Sequence, residues 1–119
     1  EAIECFDKAI ELDPKDAYAW NGKGIAFRKL GKYEEVIKCY DKAIELDPTH
    51  TSALNNMADV LLRLDRVDEA LEIINKALEI DKTKAICWGT KGEILQKLGR
   101  DDEAKECFAK ENEIKIMHD

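Results

Sequence analysis

"DKAIELDP" at Asp7–Pro14 recurs letter for letter at Asp41–Pro48, 34 positions further on. An eight-residue identity within 119 residues marks an internal repeat, and its interval decides the fold. Self-similarity at roughly 20–50 residues is the mark of stacked repeats. Steps of 34 carry Trp20 onto Leu54 and Trp88, Gly24 onto Ala58 and Gly92, and Phe27 onto Leu61 and Leu95. Leu30 lands on Leu64 and Leu98, and Gly31 on Asp65 and Gly99. In the other half of the unit Ala2 lands on Val36, Ala70 and Ala104, and Phe6 on Tyr40, Ile74 and Phe108. Pro14 lands on Pro48 and then on Lys82, with no insertion anywhere in the register.

Within one unit the apolar spacing is helical. "AWNGKGIAFRKL" places Trp20, Gly24, Phe27 and Leu30 at steps of four, three and three, which is one face of an α-helix. "YEEVIKCYDKAIEL" does the same with Val36, Ile37, Tyr40, Ala43 and Ile44. Gly31 separates the two helices, because glycine enters the left-handed region at no steric cost. Asp65 takes that place in the next unit, and aspartate tolerates the conformation better than most residues. Asp13-Pro14 and Asp47-Pro48 end the second helix, since a residue before proline resists helical angles. Each unit is therefore a helix hairpin. A lone hairpin cannot bury its apolar faces, so arrays need at least about three repeats. The expected order is a lone second helix over 1–14, then hairpins over about 17–48, 51–82 and 85–117.

Composition narrows the function. A net charge of −7 argues against nucleic acid or an anionic membrane as partner, both of which need a basic surface. No apolar run approaches the roughly 20 residues of a membrane span. The chain opens on Glu1 rather than Met and shows no signal peptide, so it reads as a piece of a longer protein. Cys5, Cys39, Cys87 and Cys107 form no C-x-x-C pair, which excludes zinc spacing and suggests free thiols packed as small apolar groups in a reducing, cytoplasmic setting. A single serine and a single glutamine beside many isoleucines, lysines and glutamates lean toward a thermophile's usage, though AT-rich coding gives the same bias.

These residues resemble the tetratricopeptide repeat, whose pattern is W-x2-L-G-x2-Y, then A-x3-F, then P. Here it reads Trp20, Gly24, Phe27, Val36, Tyr40 and Pro48, and again Trp88, Gly92, Leu95, Ala104 and Phe108. The resemblance covers essentially the whole chain. It implies an all-α fold: an α-solenoid of antiparallel helix hairpins with a 34-residue period and about three and a half repeats in a right-handed superhelix. The expected divisions are a truncated repeat at 1–16, repeats at 17–50 and 51–84, and a third at 85–119 with a polar C-terminal cap. That cap is read from Glu111 and Asn112, which stand where earlier units carry Ala43-Ile44 and Ala77-Leu78. Lys23 and Lys91 depart from the family's leucine, and a lysine there can lay its stem over the core with its ammonium in water.

The resemblance further implies a concave groove lined by the first helix of each unit, used to bind an extended peptide or a helix of another protein. The positions that would line it are Tyr18, Asn21, Ile25, Arg28 and Lys29, then Ser52, Asn55, Asn56, Asp59, Leu62 and Arg63, then Ile86, Gly89, Thr90, Glu93, Gln96 and Lys97. Arg28, Lys29, Arg63 and Lys97 outnumber Asp59 and Glu93, so an acidic ligand is expected, with Arg suited to bidentate carboxylate binding. The same four cations also sit in last helical turns, where they suit the helix dipole without any ligand. Asn21, Asn55 and Asn56 could bond a peptide backbone, or simply supply surface polarity. One subtype of the family grips chaperone C-termini with a lysine–asparagine carboxylate clamp. Asn21, Ile25, Ile86 and Thr90 break that pattern, and no such binding is expected.

No catalytic constellation stands out. His50 and His118 fall at one repeat position and read as solvent-facing connectors. Ser52 lacks a nucleophile-elbow motif, and the glycines form no phosphate loop. The chain is expected to be no enzyme and to need neither cofactor nor metal. Two readings remain: a protein-interaction module, or a structural spacer of a larger scaffold with no groove ligand. Ala2, Phe6 and Ala9 lack the helix that would complete their unit, so an open apolar face and self-association through residues 1–14 are expected.

Overall fold

The structure, a computed structural model, describes residues 2–117. Among these it holds seven α-helices and no strand: α1 (Ala2–Leu12), α2 (Ala17–Lys29), α3 (Tyr33–Leu46), α4 (Thr51–Arg63), α5 (Val67–Ile80), α6 (Ala85–Lys97) and α7 (Asp101–Met117). The chain divides into two compact units, Glu1–Ala53 and Leu54–Asp119. In the first, α2 packs against both α1 and α3; in the second, α6 packs against both α5 and α7.

The turn inside each hairpin is written three times in one geometry. Gly31, Asp65 and Gly99 have φ of 74°, 63° and 75°. The following amide reaches back to the helix in each: Lys32 N–H to Phe27 O at 3.1 Å, Arg66 to Leu61 at 2.8 Å, Arg100 to Leu95 at 2.8 Å. These are Schellman closures, which satisfy carbonyls a helix end leaves open. Asp65 alone carries a side chain in that conformation. Asp65→Gly is therefore expected to raise stability by about 0.5–1 kcal/mol. Urea unfolding checks this, and a loss of stability would mean that the Asp65 side chain contributes more than its backbone strain costs.

The turn between hairpins differs from the proline reading. Asp13, Asp47 and Asp81 each accept the backbone N–H two residues on, at 3.1, 3.0 and 2.9 Å. Such a side-chain turn competes with the helix on its own. Asp81 ends α5 in extended backbone, φ −149°, with lysine after it. Aspartate is thus the common helix stop, and proline reinforces it in two of three cases. Thr49 and Thr83 add hydroxyl donors to Asp47 and Asp81, and these bonds hold both carboxyls below the ordinary carboxylate range. Arg66 and Arg100 do the same to Glu69 and Glu103 through paired bonds of 2.6–2.9 Å. A lowered folded pKa stabilises above the unfolded carboxylate value, and that contribution is lost as pH falls through the folded one. Stability is accordingly expected to hold at neutral pH and drop below about pH 4. Thr83→Val should move the Asp81 titration upward in carboxyl-detected NMR; an unmoved titration would contradict the assigned cause.

The first helices begin on caps. Asp16 accepts from the amides of Tyr18 and Ala19. His50, at the equivalent place before α4, accepts the Ala53 N–H through Nδ1 at 3.3 Å. It is 6% exposed, with its ring 4.7 Å from that of Tyr18, which corrects its expected role as a solvent-facing connector. His118 lies outside the described residues.

Cores follow the repeated faces. In the first unit Val36, Tyr40 and Ala43 of α3 have no exposed surface. Ala17, Ala43 and Ala53 cluster with Trp20, Ile44 and Leu46. In the second, Leu95, Ala104 and Cys107 cluster with Leu71, Trp88 and Phe108. Both tryptophans tie the preceding loop, Trp20 to Pro14 O at 3.2 Å and Trp88 to Lys82 O at 2.9 Å. Leu30 and Leu64 end their helices 61% and 38% exposed, so the buried stripe stops a turn earlier than the spacing suggests. Lys23 lies over Trp20 and Phe27 and reaches Asp7 at 2.6 Å, while Lys91 lies over Trp88.

Candidate functional site: the exposed face of the first helices

Each unit presents its own part of this face. On α2, Tyr18 is 74% exposed, Ile25 and Lys29 are exposed, and Arg28 is half-buried. Asn21 is buried. The aromatic ring of Tyr18 is held from behind by His50, so it is a supported apolar surface rather than a loose side chain.

The second unit gathers more. α6 carries two adjoining recesses that share Glu93. One, of about 180 Å³, is lined by Ile86, Gly89, Thr90, Glu93, Phe108 and Glu111. The other, of about 460 Å³, is lined by Leu62, Arg63, Glu93, Gln96 and Lys97. α4 and α6 thus bring together Arg63, Glu93, Gln96 and Lys97, all exposed. Asp59 lies one turn before Arg63 and pairs with it at 3.4 Å. Asn56 is half-buried, and Asn55 is buried with Oδ1 lacking a hydrogen-bond partner, which costs desolvation energy.

One residue of this face, Phe108, is not among the positions expected to line it, and Glu111 is expected only as a polar cap. Gly89 stands where the earlier repeats have Asn21 and Asn55, and a Cβ there would come within 2.5 Å of a Glu111 carboxylate oxygen. Glu111 also pairs with Lys115 at 3.2 Å. A polar residue of the expected cap thereby folds back over α6, and glycine leaves it room. Phe108 forms the apolar floor between them.

The N-terminal helix is less enclosed. No residue of α1 is buried; Ala2 is exposed, and Phe6 and Ala9 are half-buried. Cys5 is exposed, which corrects the expectation that all four cysteines pack inside; Cys39, Cys87 and Cys107 do. Burial is the leading cause that raises the pKa of all three buried thiols, that of Cys87 to about 11. Among the described residues no cluster of three or more His, Cys, Asp or Glu could hold a metal ion, and no helix is long and apolar enough to cross a membrane.

Profiles described as tetratricopeptide repeat match residues 17–50, 39–72 and 85–113, and one described as TPR repeat matches 1–31. A curated relative, "Uncharacterized protein MJ0572" of Methanocaldococcus jannaschii, is 54% identical over 35 residues, 29% of this chain and 41% of that protein. The match therefore spans about two fifths of the relative's length. Among solved structures, MamA aligns with TM-score 0.83 at 21% identity over 95% of this chain and 66% of its own. The first TPR of Spaghetti (RPAP3), bound to HSP90 peptide SRMEEVD, aligns with TM-score 0.81 at 27% identity over 86% and 81%. The second TPR of the same protein, with the same peptide, gives 0.80 at 27% identity over 85% and 94%. With four profile matches spread along hairpins of one geometry, this chain belongs to the tetratricopeptide repeat family.

Proposed function

We propose that this chain is a protein-interaction module that receives an acidic peptide segment on the α4–α6 face. The observation that carries the reading is the recess lined by Arg63 and Lys97 with the neutral Gln96 and Leu62 and the carboxylate of Glu93, Arg63 also pairing with Asp59 at 3.4 Å. A guanidinium and an ammonium there supply charge-assisted bonds to carboxylates, on a chain whose net charge is −7. The two peptide-bound relatives at 27% identity support a peptide as the occupant. Their particular peptide is not the expected ligand, because Ile86 and Thr90 stand where a carboxylate clamp needs charged donors.

Fluorescence anisotropy with a labelled peptide rich in Asp and Glu tests it. Saturable micromolar binding is expected, weakened about tenfold by combined Arg63→Glu and Lys97→Glu, since solvent-exposed ion pairs are worth roughly 0.2–1 kcal/mol each. Equal binding by parent and variant would refute this face as the site.

A further inference from the structure

We infer that the smaller of the two recesses on α6 is a subsite for an arginine side chain of the bound peptide. The inference rests on the peptide site proposed for the adjoining recess, and it names what that peptide carries beside its acids. The recess of about 180 Å³ has the opposite charge to its neighbour: Glu93 and Glu111 line it, and among the described residues no lysine or arginine does. Glu93 forms no ion pair among the described residues, whereas Asp59, its repeat equivalent in α4, holds Arg63 at 3.4 Å. Glu111 is 23% exposed, and its Lys115 partner at 3.2 Å stands outside the lining. Thr90 also lines the recess, 6% exposed, and its hydroxyl has no hydrogen-bond partner among the described residues. A buried polar group left unpaired carries a desolvation cost that a ligand donor relieves.

Packing does not ask for this charge. In the first hairpin the same six repeat positions are Tyr18, Asn21, Gly22, Ile25, Tyr40 and Ala43, all uncharged, and α2 packs on α3 there as α6 packs on α7. The two acids therefore belong to this recess and not to the repeat. A guanidinium matches what the recess offers. Its planar fork donates to carboxylates and a hydroxyl together, and its face stacks on an aromatic ring such as Phe108. A lysine ammonium is a compact, strongly hydrated charge and gains less from that floor. Gly89 keeps the second acid in place, because a Cβ there would stand 2.5 Å from a Glu111 carboxylate oxygen. From Thr90 to Lys97 the helix rises about 10 Å, a distance that about three extended residues span. The arginine thus stands about three residues from the acid that meets Lys97.

Fluorescence anisotropy separates this subsite from the site it adjoins. Two labelled peptides are compared, each with a central pair of glutamates. One has arginine three residues to either side of the pair, which covers both chain directions, and the other has citrulline, the neutral isostere of arginine, in those places. Arginine should tighten binding about tenfold over citrulline, the sum of exposed ion pairs and a cation–π contact. Combined Glu93→Gln and Glu111→Gln should remove that gain. The same variant should bind the citrulline peptide at least as tightly as the parent, which also establishes that it is folded. Equal affinity of the parent for the two peptides overturns the arginine subsite and leaves the acidic-peptide reading standing. A gain that survives in the variant overturns it as well, by placing the arginine elsewhere. Binding of neither peptide removes both readings together.

Discussion

Gly24→Ala is expected to lower the unfolding free energy by about 2–3 kcal/mol, the upper range for overpacking a tight core. It should do so although alanine favours a helix by about 1 kcal/mol over glycine. The added carbon would stand 2.5 Å from Cε1 of Tyr40, whose side chain has no exposed surface and cannot swing away. Gly92→Ala meets Phe108 at the same distance, but Phe108 is half-buried and can yield, so a smaller loss is expected there. Pairing Gly24→Ala with Tyr40→Leu should recover part of the loss, which a double-mutant cycle would register as coupling. Urea unfolding at constant m-value measures all of these. A Gly24→Ala protein as stable as its parent would mean that the α2–α3 contact is looser than described.

The second large effect is chemical. Cys5 is expected to react with a thiol reagent at least about 10³ times faster than Cys39, Cys87 or Cys107 in the folded chain. Buried thiols react only through opening, and a small domain's stability of 5 kcal/mol or more makes open states that rare. For Cys87 the thiol held protonated by burial adds to the protection. Mass spectrometry of timed alkylation, with and without urea, separates the four sites. Near-equal rates in the absence of denaturant would contradict the burial of the repeated cysteine position.

Much of this fold is legible in the chain because the repeat averages out local ambiguity. A glycine at Gly31 is a weak stop signal alone, but its return as Asp65 and Gly99 fixes a left-handed position, and all three adopt it. The apolar faces of the second helices follow spacing directly: Val36, Tyr40 and Ala43 are fully buried. What spacing missed depends on contacts distant in sequence or on side-chain bonding. The Asp81 turn needs no proline, because a carboxylate bond to the Thr83 amide does the same work. His50 turned inward because its ring nitrogen replaces the carboxylate that caps α2. Glu111 looked like a solvated cap, and only the missing Cβ of Gly89 lets it fold over α6. The face itself was named from family resemblance. Of the two acids that border one recess, Glu93 was among the expected positions, whereas Glu111 reads in the sequence only as a cap.

The most direct test is to follow backbone amide shifts in NMR while an acidic peptide is titrated into the labelled chain. Saturable shifts are expected, centred on Leu62, Arg63, Glu93, Gln96 and Lys97, with the outer face of α1 unmoved. Shifts confined to α1 or to the exposed sides of α3, α5 and α7, with the α4–α6 recess silent, would contradict it.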